Sequence, residues 1–175
     1  MCNIVEIKKE DDLTRVLTYA GFILVSFELV KSLIVKPIKA FYQDTTFDGG
    51  IFKSFEEDVL SRHKDIFQAS LLYLRDFMKT LDSEDVEIIQ SLRKHRNELA
   101  HDLPNMLGEL NVDEQSNLLE QTGKVLLKLS NYRSFMEIGA DPEFKHVDWD
   151  SVKSSEYLLF EEVLNKVKLL KTKVD

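Results

Sequence analysis

At 175 residues, 43% hydrophobic and 31% charged, the chain has the size and composition of one folded domain, expected to span residues 1–175, and not of a disordered segment. A formal net charge of −8 and a pI near 5.1 exclude a broad basic surface that grips nucleic acid everywhere, so any such contact has to be local. The single cysteine, Cys2, excludes an intramolecular disulfide and a thiolate metal cluster and fits a reducing compartment.

Residues 1–6 lack the charged-then-apolar layout of a signal peptide. The uncharged run 16–27 is shorter than the about 20 residues a membrane span takes. Together they predict a cytoplasmic protein with no membrane contact. Only 6 Gly and 3 Pro punctuate the chain, which favours long helices over many short strands.

The first predicted helix starts near Asp11 or Asp12 and runs through Leu13, Val16, Leu17, Ala20, Leu24, Phe27 and Ile34. It should end by Pro37, because the residue before a proline resists helix. Phe22, Ile23, Val25 and Leu29 make it apolar nearly all round, as in a central helix or one that also serves a subunit interface. A loop follows over 44–50, where Asp and Gly cluster. The second helix is predicted over 54–80, with Phe55, Val59, Ile66, Tyr73 and Phe77 on one stripe.

Residues 81–83 form a short break with an N-cap candidate, and Leu81 is placed to staple against Val86. The third helix turns Ile88, Ile89, Leu92 and Leu99 inward and stops near His101, with Pro104 behind it. After a connector over 105–111, the fourth helix begins near Asp113 and reaches Gly139 as a C-cap. Residues 140–149 are irregular, Trp149 anchoring this stretch, and the fifth helix begins near Asp150 or Ser151. No strand pattern or repeat stands out, so the predicted fold is all-α, an up-and-down bundle of about five helices.

The chemically distinctive stretch is 93–104, at the end of the third helix. Arg93, Lys94, His95 and Arg96 stand in a row, followed by Asn97 and, five positions after Arg96, His101. Arg96, Asn97 and His101 have the form arginine, polar residue, three residues, histidine. In this the chain resembles the HEPN superfamily (higher eukaryote and prokaryote nucleotide-binding domains). Catalytic members of that superfamily are helical bundles with an arginine, four to six residues and a histidine near a helix end. The motif covers six residues, and the helical layout of the whole chain agrees with it.

The resemblance implies a metal-independent endoribonuclease of toxin–antitoxin or phage-defence type, acting on RNA at a homodimer cleft without a cofactor. It also implies an inhibitory antitoxin or regulatory protein as a partner. Arg96 would contact the phosphate, His101 would do acid–base work, and Asn97 would orient His101. Arg93, Lys94 and His95 would bind substrate, Arg93 being the second choice for the phosphate contact. A histidine with a pKa near neutrality can act as base or acid, and a guanidinium can hold two phosphoryl oxygens at once. On an ideal helix, however, Arg96 and His101 point about 140° apart, so helix unwinding near Pro104 or a second protomer has to complete the site.

Three other readings compete. Basic residues in a last helical turn can simply complement the negative helix end, with His101 capping it. A non-catalytic bundle could bind RNA, a nucleotide or a protein through the same stretch. Glu98 with His101 and Glu143 with His146 are both Glu-x-x-His pairs, as in di-iron carboxylate bundles, with Glu28 as an added ligand. Against this, the second pair follows Pro142 in a stretch without helical periodicity. Glu28 has a simpler use in pairing with Lys31 or Arg15; His63, between Arg62 and Lys64, reads as a solvated side chain, and His95, beside Leu92 and Leu99 on the wheel, also reads as a half-buried histidine and a poorer substrate contact than His101.

Overall fold

The computed structural model of the chain describes residues 10–46, 48–106, 112–139 and 141–171. Its α-helices are α1 (Glu10–Asp44), α2 (Phe55–Asp58), α3 (Ile66–Asp76), α4 (Ser83–Met106), α5 (Val112–Ile138) and α6 (Ser155–Lys171). Among the described residues there is no strand, and the fold is an all-α bundle. Cys2 and most of the predicted 105–111 connector lie outside the described residues.

α1 is the axis, packing against α3, α4, α5 and α6. Tyr19, Ile23, Val30 and Ile34 on it are essentially inaccessible to solvent, which is why a helix apolar on several faces is stable here. The helix does not stop before Pro37 but runs on to Asp44. An interior proline costs about 3 kcal/mol of helix propensity; burial of Ile34 and Ile38 on either side offsets that cost. By length and composition alone the stretch Leu13–Asp44 would suffice to cross a bilayer, and half of its most apolar 18-residue window is buried inside the bundle.

The single helix predicted over 54–80 is broken into α2, a 3-10 turn Leu60–Arg62, and α3. Two caps account for this. Ser54 Oγ accepts from the Glu57 amide at 3.1 Å, and Asp65 Oδ1 accepts from the Gln68 amide at 2.9 Å, starting a new helix. Between them Asp58 is buried, accepting from the Tyr42 hydroxyl at 2.8 Å and the Lys53 amide at 2.7 Å. α3 ends with Lys79 in the left-handed region (φ 57°) and the Thr80 amide donating back to the Leu74 carbonyl at 2.9 Å.

α4 starts as the sequence predicts. Asp82 caps it by accepting from the Asp85 amide at 2.9 Å, while Asp85 accepts from the Asp82 amide at 3.0 Å. Leu81 and Val86 are both buried. α5 and α6 approach closely at Gly123, where a Cβ would sit 3.2 Å from the Phe160 ring. The Ser154 amide donates to Ser130 Oγ at 2.8 Å, and Ser154 Oγ caps α6, which therefore begins at Ser155 and not at Asp150. Gly139 follows the end of α5 without a positive φ; the space for a Cβ there is filled by the Phe135 ring. Trp149 lies edge-on to Phe135 at 5.7 Å and anchors the stretch before α6.

Candidate nucleic-acid interface on α4

The face of α4 toward the core carries Leu92, His95 and Leu99 at helical spacing, all buried. Of the two readings of His95, substrate contact and half-buried residue, the structure supports the second: it is only 5% exposed, with Nε2 3.1 Å from the Tyr19 hydroxyl on α1. Burial pushes the His95 pKa below its ordinary value, partly opposed by Glu98. Burial also raises the Tyr19 pKa, so both groups are neutral near pH 7. His95 thus belongs to the α1–α4 joint and is out of reach of a substrate.

Arg93 and Arg96 flank that buried stripe and are built from the same parts. Arg93 faces α3, its Nη2 3.1 Å from Asp65 Oδ2 and Nη1 3.4 Å from Oδ1, with the guanidinium 5.6 Å from the Phe67 ring centroid. Arg96 faces α1, its Nη2 3.6 Å from Glu28 Oε1 and its guanidinium 5.5 Å from the Phe27 ring centroid. The two rings meet edge to face at 5.4 Å, so both cations rest on one aromatic step.

The anchoring differs. Asp65 is also the N-cap of α3, and the Gln68 amide, with Arg93 behind it, holds its carboxyl below the usual range. Glu28 is more than half exposed, its distance to Arg96 is too long for a hydrogen bond, and its other oxygen is 3.9 Å from Lys31. Arg96 donates from Nη1 to Asn97 Oδ1 at 3.1 Å, while its Nε is buried and has no acceptor among the described residues. Arg93 is fixed and Arg96 is held loosely.

The outward face of α4 carries Lys94, Asn97, Glu98 and His101, all exposed. Lys94 is 3.8 Å from Glu98. Asn97, expected to orient His101, turns to Arg96 instead, and no hydrogen bond or ion pair joins Arg96 to His101. The regular helix ends at His101. Asp102 has non-helical torsions (φ −129°, ψ 17°), and Pro104 falls in the first turn of the segment beyond, where its missing amide is tolerated. His101 therefore stands exposed at a broken helix end, as the position of Pro104 predicts.

Among the described residues no three His, Cys, Asp or Glu side chains group to hold a metal ion. Glu143 lies in the 3-10 turn Pro142–Phe144 and His146 just after it, so that pair is not on a long helix. A separate cavity of about 460 Å³ opens where α1 passes Pro37, lined also by Phe41, Tyr73, Met78, Tyr132 and Arg133. Sequence reasoning missed it, and it missed the Tyr19–His95 and Glu28–Arg96 contacts. The one available signal was a glutamate set inside the apolar run of α1. No family model, curated protein or solved structure matches the chain.

Proposed function

We propose that this protein is a metal-independent endoribonuclease acting on cytoplasmic RNA, with His101 as the acid–base group and Arg96 as the phosphate contact. The observation that carries the reading is the end of the regular helix at His101. It leaves an exposed imidazole on the same face as Lys94 and Asn97, one turn beyond a loosely held arginine. In the reaction, an imidazole removes the proton from the ribose 2′-hydroxyl, whose oxygen attacks the adjacent phosphorus. The P–O5′ bond breaks, and an imidazolium protonates the departing 5′-oxygen, leaving a 2′,3′-cyclic phosphate and a 5′-hydroxyl. A guanidinium stabilises the charge that accumulates on the phosphoryl oxygens.

Within one chain Arg96 turns toward α1 and His101 toward solvent, so the complete site takes two copies. An apolar face suited to that pairing lies on α1, where Leu17, Leu24 and Val25 are exposed near Glu28. The resemblance to the HEPN superfamily supplies the toxin–antitoxin or phage-defence setting and a restraining protein partner. Purified wild-type protein, incubated with an end-labelled tRNA pool in EDTA, should cut at discrete positions and leave cyclic phosphate ends, and His101→Ala should not. Intact RNA with the wild-type protein as well would refute the catalytic reading.

A second reading, a non-catalytic bundle that binds RNA, a nucleotide or a protein through α4, is favoured by one specific observation. Arg93 and the motif's Arg96 both already have carboxylate partners. Binding without cleavage by the wild type, lost in Arg96→Ala, would select it.

A further inference from the structure

We propose that Glu28 is a positioning residue that governs phosphate access to Arg96, an inference that rests on the ribonuclease reading. Arg96 is the motif's fork, and the group in front of that fork is a carboxylate from another helix, Glu28 Oε1, 3.6 Å from Nη2. A carboxylate and a phosphate diester offer a guanidinium the same planar pair of acceptor oxygens. Glu28 therefore stands where a backbone phosphate has to come.

The contact is built to exchange. It is an ion pair longer than a hydrogen bond, the Glu28 side chain is 56% exposed, and such pairs contribute little to stability. The aromatic face of Phe27 keeps the guanidinium in place when Glu28 leaves, and Asn97 Oδ1 holds Nη1. Lys31, 3.9 Å from the other Glu28 oxygen, offers the displaced carboxylate a second partner on the same helix. The buried Nε without an acceptor marks a donor that this resting arrangement leaves unused. Arg93 shows the contrast, since its carboxylate cannot leave without uncapping α3.

Glu28 thus keeps Arg96 aligned in the empty state and competes with RNA for it. The competition is electrostatic, so it is strongest at low salt. Removing the charge while keeping the shape should tighten RNA binding, and only through Arg96.

The test measures binding of a short labelled single-stranded RNA by fluorescence anisotropy in EDTA across a salt series. His101→Ala serves as the background so that the probe stays intact. Glu28→Gln in that background should lower Kd by about 3- to 10-fold at low salt and steepen the log Kd versus log salt plot by up to about 0.7, the value of a full phosphate contact on a single strand, because that contact no longer sets free a carboxylate that takes a cation back up. Adding Arg96→Ala should erase both changes. A helix-packing role for Glu28 would not move the salt slope, and thermal melts of each variant check that folding is unchanged. If the background protein binds RNA but Glu28→Gln binds equally or more weakly, the Glu28 proposal is overturned and the ribonuclease reading stands. If neither the wild type nor these variants bind RNA even at low salt, both fall together.

Discussion

Two joints of the bundle use one set of parts for different ends. At the α3–α4 joint Arg93 meets Asp65 over Phe67, and at the α1–α4 joint Arg96 meets Glu28 over Phe27. Asp65 is bound into the backbone as a helix cap, so its arginine is tied to the fold. Glu28 sits mid-helix on a stem of two methylenes, and among the described residues its carboxylate is paired with two cations, Arg96 and Lys31. The lesson is that an arginine in a motif is available for a ligand according to what holds its partner, not according to its own exposure. The two arginines are almost equally exposed, at 32% and 31% of the side chain.

The sharpest way to break this comparison is by activity. Arg96→Ala and His101→Ala should each lower tRNA cleavage by about 100-fold or more, the scale of losing a charge stabiliser or a proton-transfer group. Arg93→Ala should leave cleavage per folded molecule within a few-fold; a larger loss there than in Arg96→Ala would reverse the assignment. Stability in urea should show the opposite order. Asp65→Ala removes a cap and should cost about 1–2 kcal/mol. Glu28→Ala, at an exposed ion pair, should stay within about 0.5 kcal/mol.

The buried stripe between the two arginines gives a third probe. The His95 pKa is lowered in the folded protein, so below its ordinary value of 6.5 the unfolded chain takes up a proton that the folded chain does not. Its contribution to stability is present above that pH and is lost as pH falls below it. The melting temperature should drop between pH 7 and 5, and His95→Phe should show a smaller drop over the same interval. An equal drop in both would place the acid sensitivity elsewhere. A small effect of the opposite sign lies outside both joints. Lys79→Gly relieves a left-handed residue at the end of α3 and should raise stability in urea by about 0.5–1 kcal/mol, setting the scale of a change that touches neither arginine.

Much of this was legible in the chain itself. The all-α class follows from apolar spacing and the scarcity of Gly and Pro, and the cap at the start of α4 and the break after His101 follow from local chemistry, although the break is a kink beyond which helix resumes to Met106. The helix predicted over 54–80 failed because Ser54 and Asp65 are both cap residues, Asp65 standing three positions before Gln68. That local signal was outvoted by the longer apolar stripe. The helix end at Pro37 failed for the opposite reason, since local resistance to helix yielded to core packing around Ile34 and Ile38. His95 had two readings, a substrate contact from its charged neighbours and a half-buried residue from its place beside Leu92 and Leu99, and packing against α1 decided for burial.

By itself the sequence determined the helical class, the α4 cap and the placement of Arg96, Asn97 and His101 at a helix end. These depend on neighbours within a turn or two, which a sequence displays directly. Only the tertiary structure decided that His95 is buried against Tyr19, that Arg93 is fixed by Asp65, and that Glu28 faces Arg96. Those contacts join residues far apart in the chain, and their geometry is set by how α1 lies across α3 and α4.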